Sequence, residues 1–254
     1  MIKPLILYIL QCARRDKIFL VVAICSIITF VVSLFLGSTA AYEKAQMSIV
    51  YASGAFRLVF VYGFIIFNAF FITKMIQNRE IETLLAGPIP RYKLILSIVF
   101  ANAILIFTLS LMAGIILQLS FWSIIPHFHM LMWSISLFLE VMISTTITIF
   151  FSIMLAHAMV SVLFATILYI ISRSIGFIIS AITVGVQNFS FIGIVKTITI
   201  PLSVFFPRLD LMSQSTWLIY SEPIQNLWLI MLQPVVYISL TILACIVDFN
   251  KKSL

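Results

Sequence analysis

The sequence predicts an all-α polytopic membrane protein with six transmembrane helices and both termini in the cytoplasm. Three observations support this fold class. Of the 254 residues, 63% are hydrophobic, only 9% are charged, and the apolar residues gather in long runs that end at charged residues. An ordinary soluble domain has about 25% charged residues. Most cytosolic enzymes, nucleic-acid-binding modules and disordered proteins are therefore excluded.

Each predicted span is an apolar run long enough to cross a hydrocarbon core of about 30 Å, which takes about 20 helical residues. The charges on either side limit these runs to residues 18–36, 56–73, 94–119, 130–156, 159–181 and 227–247. The further apolar stretch 184–206 is interrupted by glycine, lysine and proline. We interpret it as a re-entrant or interfacial element between spans five and six, because broken segments of this kind rarely cross a membrane.

The first 17 residues precede the first span and have a helical pattern of their own. Apolar residues at positions 2, 5, 6, 9, 10 and 13 recur at helical spacing, with Gln11, Arg14 and Arg15 on the other side. The pattern predicts an amphipathic interfacial helix on the cytoplasmic face of the membrane. The alternative is a simple polar lead-in to the span.

The basic residues predict the orientation, because cytoplasmic loops are enriched in lysine and arginine. Ten of the fifteen lie before span one, between spans two and three, or after the last span: Lys3, Arg14, Arg15, Lys17, Lys74, Arg79, Arg91, Lys93, Lys251 and Lys252. Placing these regions inside puts both termini in the cytoplasm and requires an even number of spans. We therefore expect a multi-pass protein of the inner (cytoplasmic) membrane.

The predicted cytoplasmic loop 78–91 has the chemistry of a short stiff helix. Glu80 and Glu82 fall in its first turn, where the helix dipole favours acids, and Gly87 and Pro88 end it. Leu84 and its neighbour leave an apolar surface facing the cytoplasm. Such a helix is suited to transmit a movement of a soluble partner to spans two and three, which it connects. The alternative is an ordinary amphipathic loop.

This loop resembles the corresponding segment of ABC-2 type transporter permeases, the membrane subunits of type V-like ABC exporters. The segment 201–211, the last span and the Phe249–Leu254 ending are similar to the family's C-terminal pattern. The resemblance implies short outer-leaflet helices over 184–222. It also implies that 78–91 is a coupling helix that docks on a nucleotide-binding ATPase subunit through Arg79, Glu80, Glu82, Thr83, Leu84, Leu85, Pro88 and Arg91.

The sequence has no G-x-x-x-x-G-K-[ST] motif and no catalytic constellation. We therefore expect a transport subunit without enzymatic activity or a cofactor of its own, with ATP and Mg on the partner ATPase. A second permease copy is expected, in a homodimer or in a heterodimer with a paralogue, and no nucleic-acid partner. Two alternatives stay open: an ABC-linked haem or copper biogenesis factor, and an ATPase-independent secondary transporter or channel.

Two charged residues fall far from the ends of predicted spans, where a charge costs about 2.5–3.5 kcal/mol on insertion scales. Glu140 in span four and Arg173 in span five are almost equally far from the turn near His157. Antiparallel helices place them at nearly the same depth, which predicts an ion pair or a polar patch shared across a dimer. The pair would lock the hairpin, or alternatively act in substrate contact or gating.

The predicted outer loop between spans three and four contains potential copper ligands. Histidine and methionine side chains can bind this metal. The candidates are His127, His129, Met130 and Met132. The alternative is that they are interfacial residues without a metal.

Overall fold

The computed structural model describes residues 2–40, 42–81, 90–184, 206–220 and 227–251. These residues form helices without any strand, and six helices are long and apolar enough to cross a membrane. The helices are α1 (Ile2–Arg15), α2 (Lys17–Thr39), α3 (Lys44–Gln77), α4 (Arg91–Ser120), α5 (His127–Leu155), α6 (Ala158–Val184), a 3-10 helix (Leu209–Leu211), α7 (Thr216–Tyr220) and α8 (Leu227–Lys251). The predicted all-α fold with six spans is confirmed, and the chain is a multi-pass membrane protein.

The amphipathic pattern before the first span forms α1. Its apolar face buries Leu5, Ile9 and Ala13, and the helix packs against α4. Asp16 separates α1 from α2, because its Oδ1 accepts a hydrogen bond from the backbone N–H of Ile18 at 3.0 Å. A side chain that satisfies a free N–H at the start of a helix is an N-cap. The chain therefore changes from an amphipathic helix to a uniformly apolar one at this residue.

The second span is longer than the sequence predicted. Helix α3 begins at Lys44, whereas the sequence predicts that the span begins at Phe56. The polar residues between Lys44 and Phe56 favour an outer loop by sequence, but they belong to the helix. The other spans begin and end within a few residues of the predicted limits.

Helix α5 is the centre of the bundle and packs against α3, α4, α6 and α8. Its membrane-spanning part is 72% buried, compared with 11% for α2. The hydroxyls of Ser144, Thr148 and Ser152 donate to the carbonyl four residues earlier in the same helix. These polar side chains are thus satisfied without a partner from another helix, and their small size allows neighbouring helices to approach closely.

A pair of buried asparagines joins α3 to α4. Each amide donates to the other: Asn68 Nδ2 lies 3.2 Å from Asn102 Oδ1, and Asn102 Nδ2 lies 2.8 Å from Asn68 Oδ1. Both side chains are buried in the bundle. Reciprocal amide hydrogen bonds between helices satisfy groups that lipid cannot solvate.

Consecutive spans alternate in direction, so the bundle has two distinct ends. At the basic end lie the start of α2, the end of α3, the start of α4, the α5–α6 turn and the end of α8. The turn is tight, because Ala156 ends α5 in the left-handed conformation at φ 52°. The opposite, distal end carries the described residues 206–220, which pack on α3, α5 and α6.

Candidate functional site

The two intramembrane charges that the sequence paired lie in contact. Arg173 Nη1 is 3.4 Å from Glu140 Oε1, and Glu140 is fully buried. The Tyr169 hydroxyl donates to the same carboxylate oxygen at 3.0 Å. Tyr169 and Arg173 are four residues apart and therefore lie on one face of α6, facing α5. The ion pair joins the two helices of this hairpin.

Arg173 also holds the backbone of the distal segment. Its Nη1 donates to the carbonyl oxygens of Leu209 and, at 2.9 Å, of Met212. From α3, Arg57 Nη1 donates to the carbonyl of Ser213 at 3.3 Å. The two arginines therefore bind three carbonyls at the end of the 3-10 helix.

Ser213 is held from two sides. Its backbone N–H donates to Ser136 Oγ of α5 at 2.9 Å, while its carbonyl accepts from Arg57. Its φ of 50° is left-handed, a conformation that costs free energy for a residue with a Cβ. Side chains from three spans thus fix a strained turn, and Glu140 provides the negative charge between the two arginines.

This turn lies well inside the bundle. Glu140 is 15 residues before the end of α5 at the basic end, and Arg173 is 15 residues after the start of α6. At 1.5 Å per residue, both lie about 22 Å from that end of their helices. Non-helical backbone at membrane depth is tolerated only where protein groups or a water-filled cavity satisfy it. Residues 209–213 therefore form a distal turn that is bonded to side chains of α3, α5 and α6. Residues 185–205 and 221–226 of the predicted 184–222 element lie outside the described residues.

A close backbone contact reinforces this arrangement. A Cβ added at Gly176 of α6 would overlap the side chain of Asp210, including its own Cβ. Asp210 in turn pairs with Arg208, with 2.9 Å between Oδ2 and Nη2. Only glycine lets the 3-10 helix approach α6 so closely, and the approach places the Leu209 carbonyl on Arg173.

Hydrogen-bonding capacity remains in the cluster. Glu140 Oε2, Ser213 Oγ and Arg57 Nε are buried and form no hydrogen bond of normal length and angle among the described residues. The Ser213 hydroxyl is nevertheless close enough to the Glu140 carboxylate to interact with it. Buried polar atoms without partners are costly, and the net charge of two arginines and one glutamate is positive. The cluster can therefore accept a further polar group, or exchange its present partners, without first losing every bond it makes.

The residues predicted to couple to an ATPase are only partly described. Glu82, Thr83, Leu84, Leu85 and Pro88 lie outside the described residues. Arg79 takes a left-handed φ of 56° where α3 ends, and Glu80 Oε1 accepts from Asn78 Nδ2 at 3.3 Å. Arg91 Nη1 donates to the carbonyls of Phe249 at 3.2 Å and Asn250 at 3.5 Å. A guanidinium on the last carbonyls of a helix is favourable, so Arg91 ties the start of α4 to the end of α8.

The candidate copper ligands are each packed against other groups. The ring of His127 lies 4.9 Å from that of Trp122, and the ring of His129 lies 5.8 Å from that of Phe128. Met130 Sδ lies 3.7 Å from Ser134 Oγ. His127 and His129 are two residues apart in α5, as are Met130 and Met132, so neither pair shares a helix face. Among the described residues, no group of three or more histidine, cysteine, aspartate or glutamate side chains could hold a metal.

Sequence reasoning found the pair but missed the rest of the cluster. Arg57 stands between Phe56 and Leu58 at the start of the predicted second span, and the charge pattern predicts that it lies on the outer side. Tyr169 could have been found from its position one helical turn before Arg173. Nothing in the sequence marks the carbonyls of 209–213 as acceptors, because every residue carries a backbone carbonyl whatever its side chain.

No protein-family model, no curated protein and no solved structure matches this chain. The fold and the site define a multi-pass membrane protein in which charges within the spans hold the distal turn.

Proposed function

We propose that this chain is the membrane-spanning permease subunit of an ATP-binding-cassette exporter. It would move a substrate across the membrane with energy from ATP hydrolysed, with Mg, on a separate nucleotide-binding subunit. Two permease copies, or one copy and a paralogue, would complete the path. The basic end would face the cytoplasm, as the distribution of lysine and arginine favours.

The observation that carries this proposal is the position of the connection between α3 and α4. It leaves α3 after Gln77 and returns at Arg91, at the end of the bundle where the basic residues gather. Arg91 is bonded to the last turn of α8, and α1 packs on α4. A subunit that pushes on residues 78–91 would therefore act on α3 and α4 directly, and on α1 and α8 through them.

The distal turn of residues 209–213, which in this proposal re-enters the bundle, supports the same transport function from the distal end. A transport path needs a barrier on the side away from the energy source, and the turn fills the space between the distal halves of α3, α5 and α6. Its bonds are made to side chains of different helices, so a relative movement of those helices changes the barrier.

The test is co-purification from native membranes. An affinity-tagged chain should bring with it a polypeptide that carries the G-x-x-x-x-G-K-[ST] motif, identified by mass spectrometry, and the eluate should hydrolyse ATP in a vanadate-sensitive manner. Glu82→Lys and Leu84→Asp should each remove that polypeptide. Ile124→Asp, in the exposed turn after α4 at the distal end, is the matched control and should retain it. A wild-type eluate without an ATPase, or full retention in both loop variants, would overturn the proposal.

A further inference from the structure

The basic end of the bundle contains an open cleft of about 820 Å³ between α1, α2, the end of α3 and the α5–α6 turn. Small-molecule sites commonly occupy about 300–1,000 Å³, so the cleft is large enough for a ligand. Two kinds of residue in its walls are relevant to ligand binding. Arg15, Lys17 and Lys74 provide positive charge, while Phe70 and Met159 provide exposed apolar surface.

The cations of the cleft are available to a ligand. Arg15, Lys17 and Lys74 are exposed, and none of them forms an ion pair with another described residue. Two acids also line the cleft, but both are engaged. Asp16 caps α2, and Glu80 accepts from Asn78 Nδ2.

Tyr8 closes one wall of the cleft and faces Glu80. A hydrogen bond with the Cys12 side chain, then burial, and then electrostatic interactions with Cys12 and with the Glu80 carboxylate raise the pKa of the Tyr8 hydroxyl. Tyr8 therefore stays a neutral donor beside the carboxylate. The two acids offset part of the positive charge of the cleft, and the three exposed basic residues form the part that can receive an anion.

The order of charge and apolar surface matches a lipid. Phe70 and Lys74 are four residues apart on α3 and share a face, with Phe70 about 6 Å deeper in the span. Lys17 is the first residue of α2, and Met159 is the second residue of α6. The cations thus lie at the ends of the spans, where headgroups lie, and Phe70 lies deeper, where acyl chains begin. Met159 adds exposed apolar surface at the level of the cations.

We propose that this cleft is a binding site for an anionic phospholipid, with the headgroup phosphate on Arg15, Lys17 and Lys74 and the upper acyl chains against Phe70 and Met159. A soluble phosphate would use the cations but not the apolar wall. The proposal does not depend on the transport function, since any bundle with this cleft would select the same lipid.

The experiment is a lipid titration of the purified full chain, followed by native mass spectrometry. Wild-type protein should bind phosphatidylglycerol more tightly than phosphatidylcholine. Each of Arg15→Gln, Lys17→Gln and Lys74→Gln should weaken phosphatidylglycerol binding about fivefold, as for a basic residue at an anionic surface. The triple variant should show no preference between the two lipids. Lys93→Gln is the matched control, because Lys93 is at the same end but lies near the ring of Tyr92 and does not line the cleft.

Two further measurements distinguish a lipid headgroup from a soluble phosphate as the bound anion. Glycerol 3-phosphate, which has the headgroup chemistry without chains, should not displace phosphatidylglycerol, and Phe70→Ala should weaken lipid binding while all three cations remain. Equal binding of the two lipids by wild-type protein, or an equal loss in the Lys93 control, would overturn the proposal. Full displacement by glycerol 3-phosphate would replace the lipid with a soluble anion. Unchanged lipid binding in the triple variant, with loss of a co-purifying protein, would assign the cations to a protein partner instead.

Discussion

The distal half of the bundle and its basic end use charge in opposite ways. In the distal half, Glu140 and the two arginines near it bond to each other or to the backbone of the distal turn. At the basic end, Arg15, Lys17 and Lys74 stand at the edge of an open cleft and form no ion pair with the described residues. In the first group the carboxylate is buried, the arginines are half-buried and all three side chains are bonded; the cations of the second group are exposed.

The contrast follows from the cost of burying charge. A charge in the interior must be compensated by the protein itself, because lipid offers no partner. A charge at the interface is solvated by water, so it needs no protein partner and can bind a ligand. The distal cluster should therefore contribute to the stability of the fold, and the cleft cations should contribute to binding.

Loss of the distal carboxylate should have the largest effect. Glu140→Ala leaves two arginines without their counter-ion, and removing one partner of a buried pair costs about 3–5 kcal/mol. Arg173→Ala should be similarly damaging. The double variant should be less destabilised than the sum of the two, because it removes both members of the pair. Unfolding of the purified protein in a denaturing detergent titration measures these free energies.

Glu43→Gln is the control for that experiment, since Glu43 is exposed before α3 and should tolerate the change. Additive effects of the two alanine substitutions would show that Glu140 and Arg173 do not stabilise each other. They would also remove the distinction between the two ends.

Adding a single methyl group at Gly176 should push the 3-10 helix away from α6. Gly176→Ala places a Cβ against Asp210 and should destabilise the fold by about 1–3 kcal/mol, the usual cost of overpacking. Gly54→Ala is matched to it, because a Cβ at Gly54 of α3 meets no atom within 4 Å. Thermal unfolding in detergent compares the two, and an equal response would mean that the approach of the 3-10 helix to α6 is not specific.

The smallest effect is expected at the basic end. Arg15→Gln and Lys74→Gln remove exposed charges without described ion-pair partners, and surface changes of this kind usually alter stability by less than about 0.5 kcal/mol. The same thermal measurement, made without anionic lipid, should give melting temperatures close to wild type. A loss as large as that of Gly176→Ala would make these cations structural.

The fold was largely predictable because apolar runs and flanking charges are local properties of the sequence. The six spans and the amphipathic α1 follow from them. The contact between Glu140 and Arg173 was also predictable, since a hairpin with a short turn fixes the relative depth of its residues. The interpretation of 184–206 as re-entrant or interfacial came from the glycines, the lysine and the prolines that interrupt it, and residues 185–205 lie outside the described part of the chain.

The remainder of the site depends on tertiary contacts that no local pattern contains. Arg57 belongs to the cluster because residues 209–213 pack against α3 and place the Ser213 carbonyl within 3.3 Å of its guanidinium. The arginines bind carbonyls whose positions depend on how residues 209–213 fold back. The cleft combines α1, α2, α3 and the α5–α6 turn, and its charge becomes visible only when those four elements are assembled.

The paired amides of Asn68 and Asn102 have a mechanical consequence. They lie about 14 and 17 Å from the basic ends of α3 and α4, at 1.5 Å per residue, and so hold the two helices at a fixed relative height. A slide of one helix by two residues, about 3 Å, would stretch both hydrogen bonds beyond their working range. The paired amides therefore couple α3 and α4. A displacement applied to the connection between them moves both helices together instead of sliding one past the other.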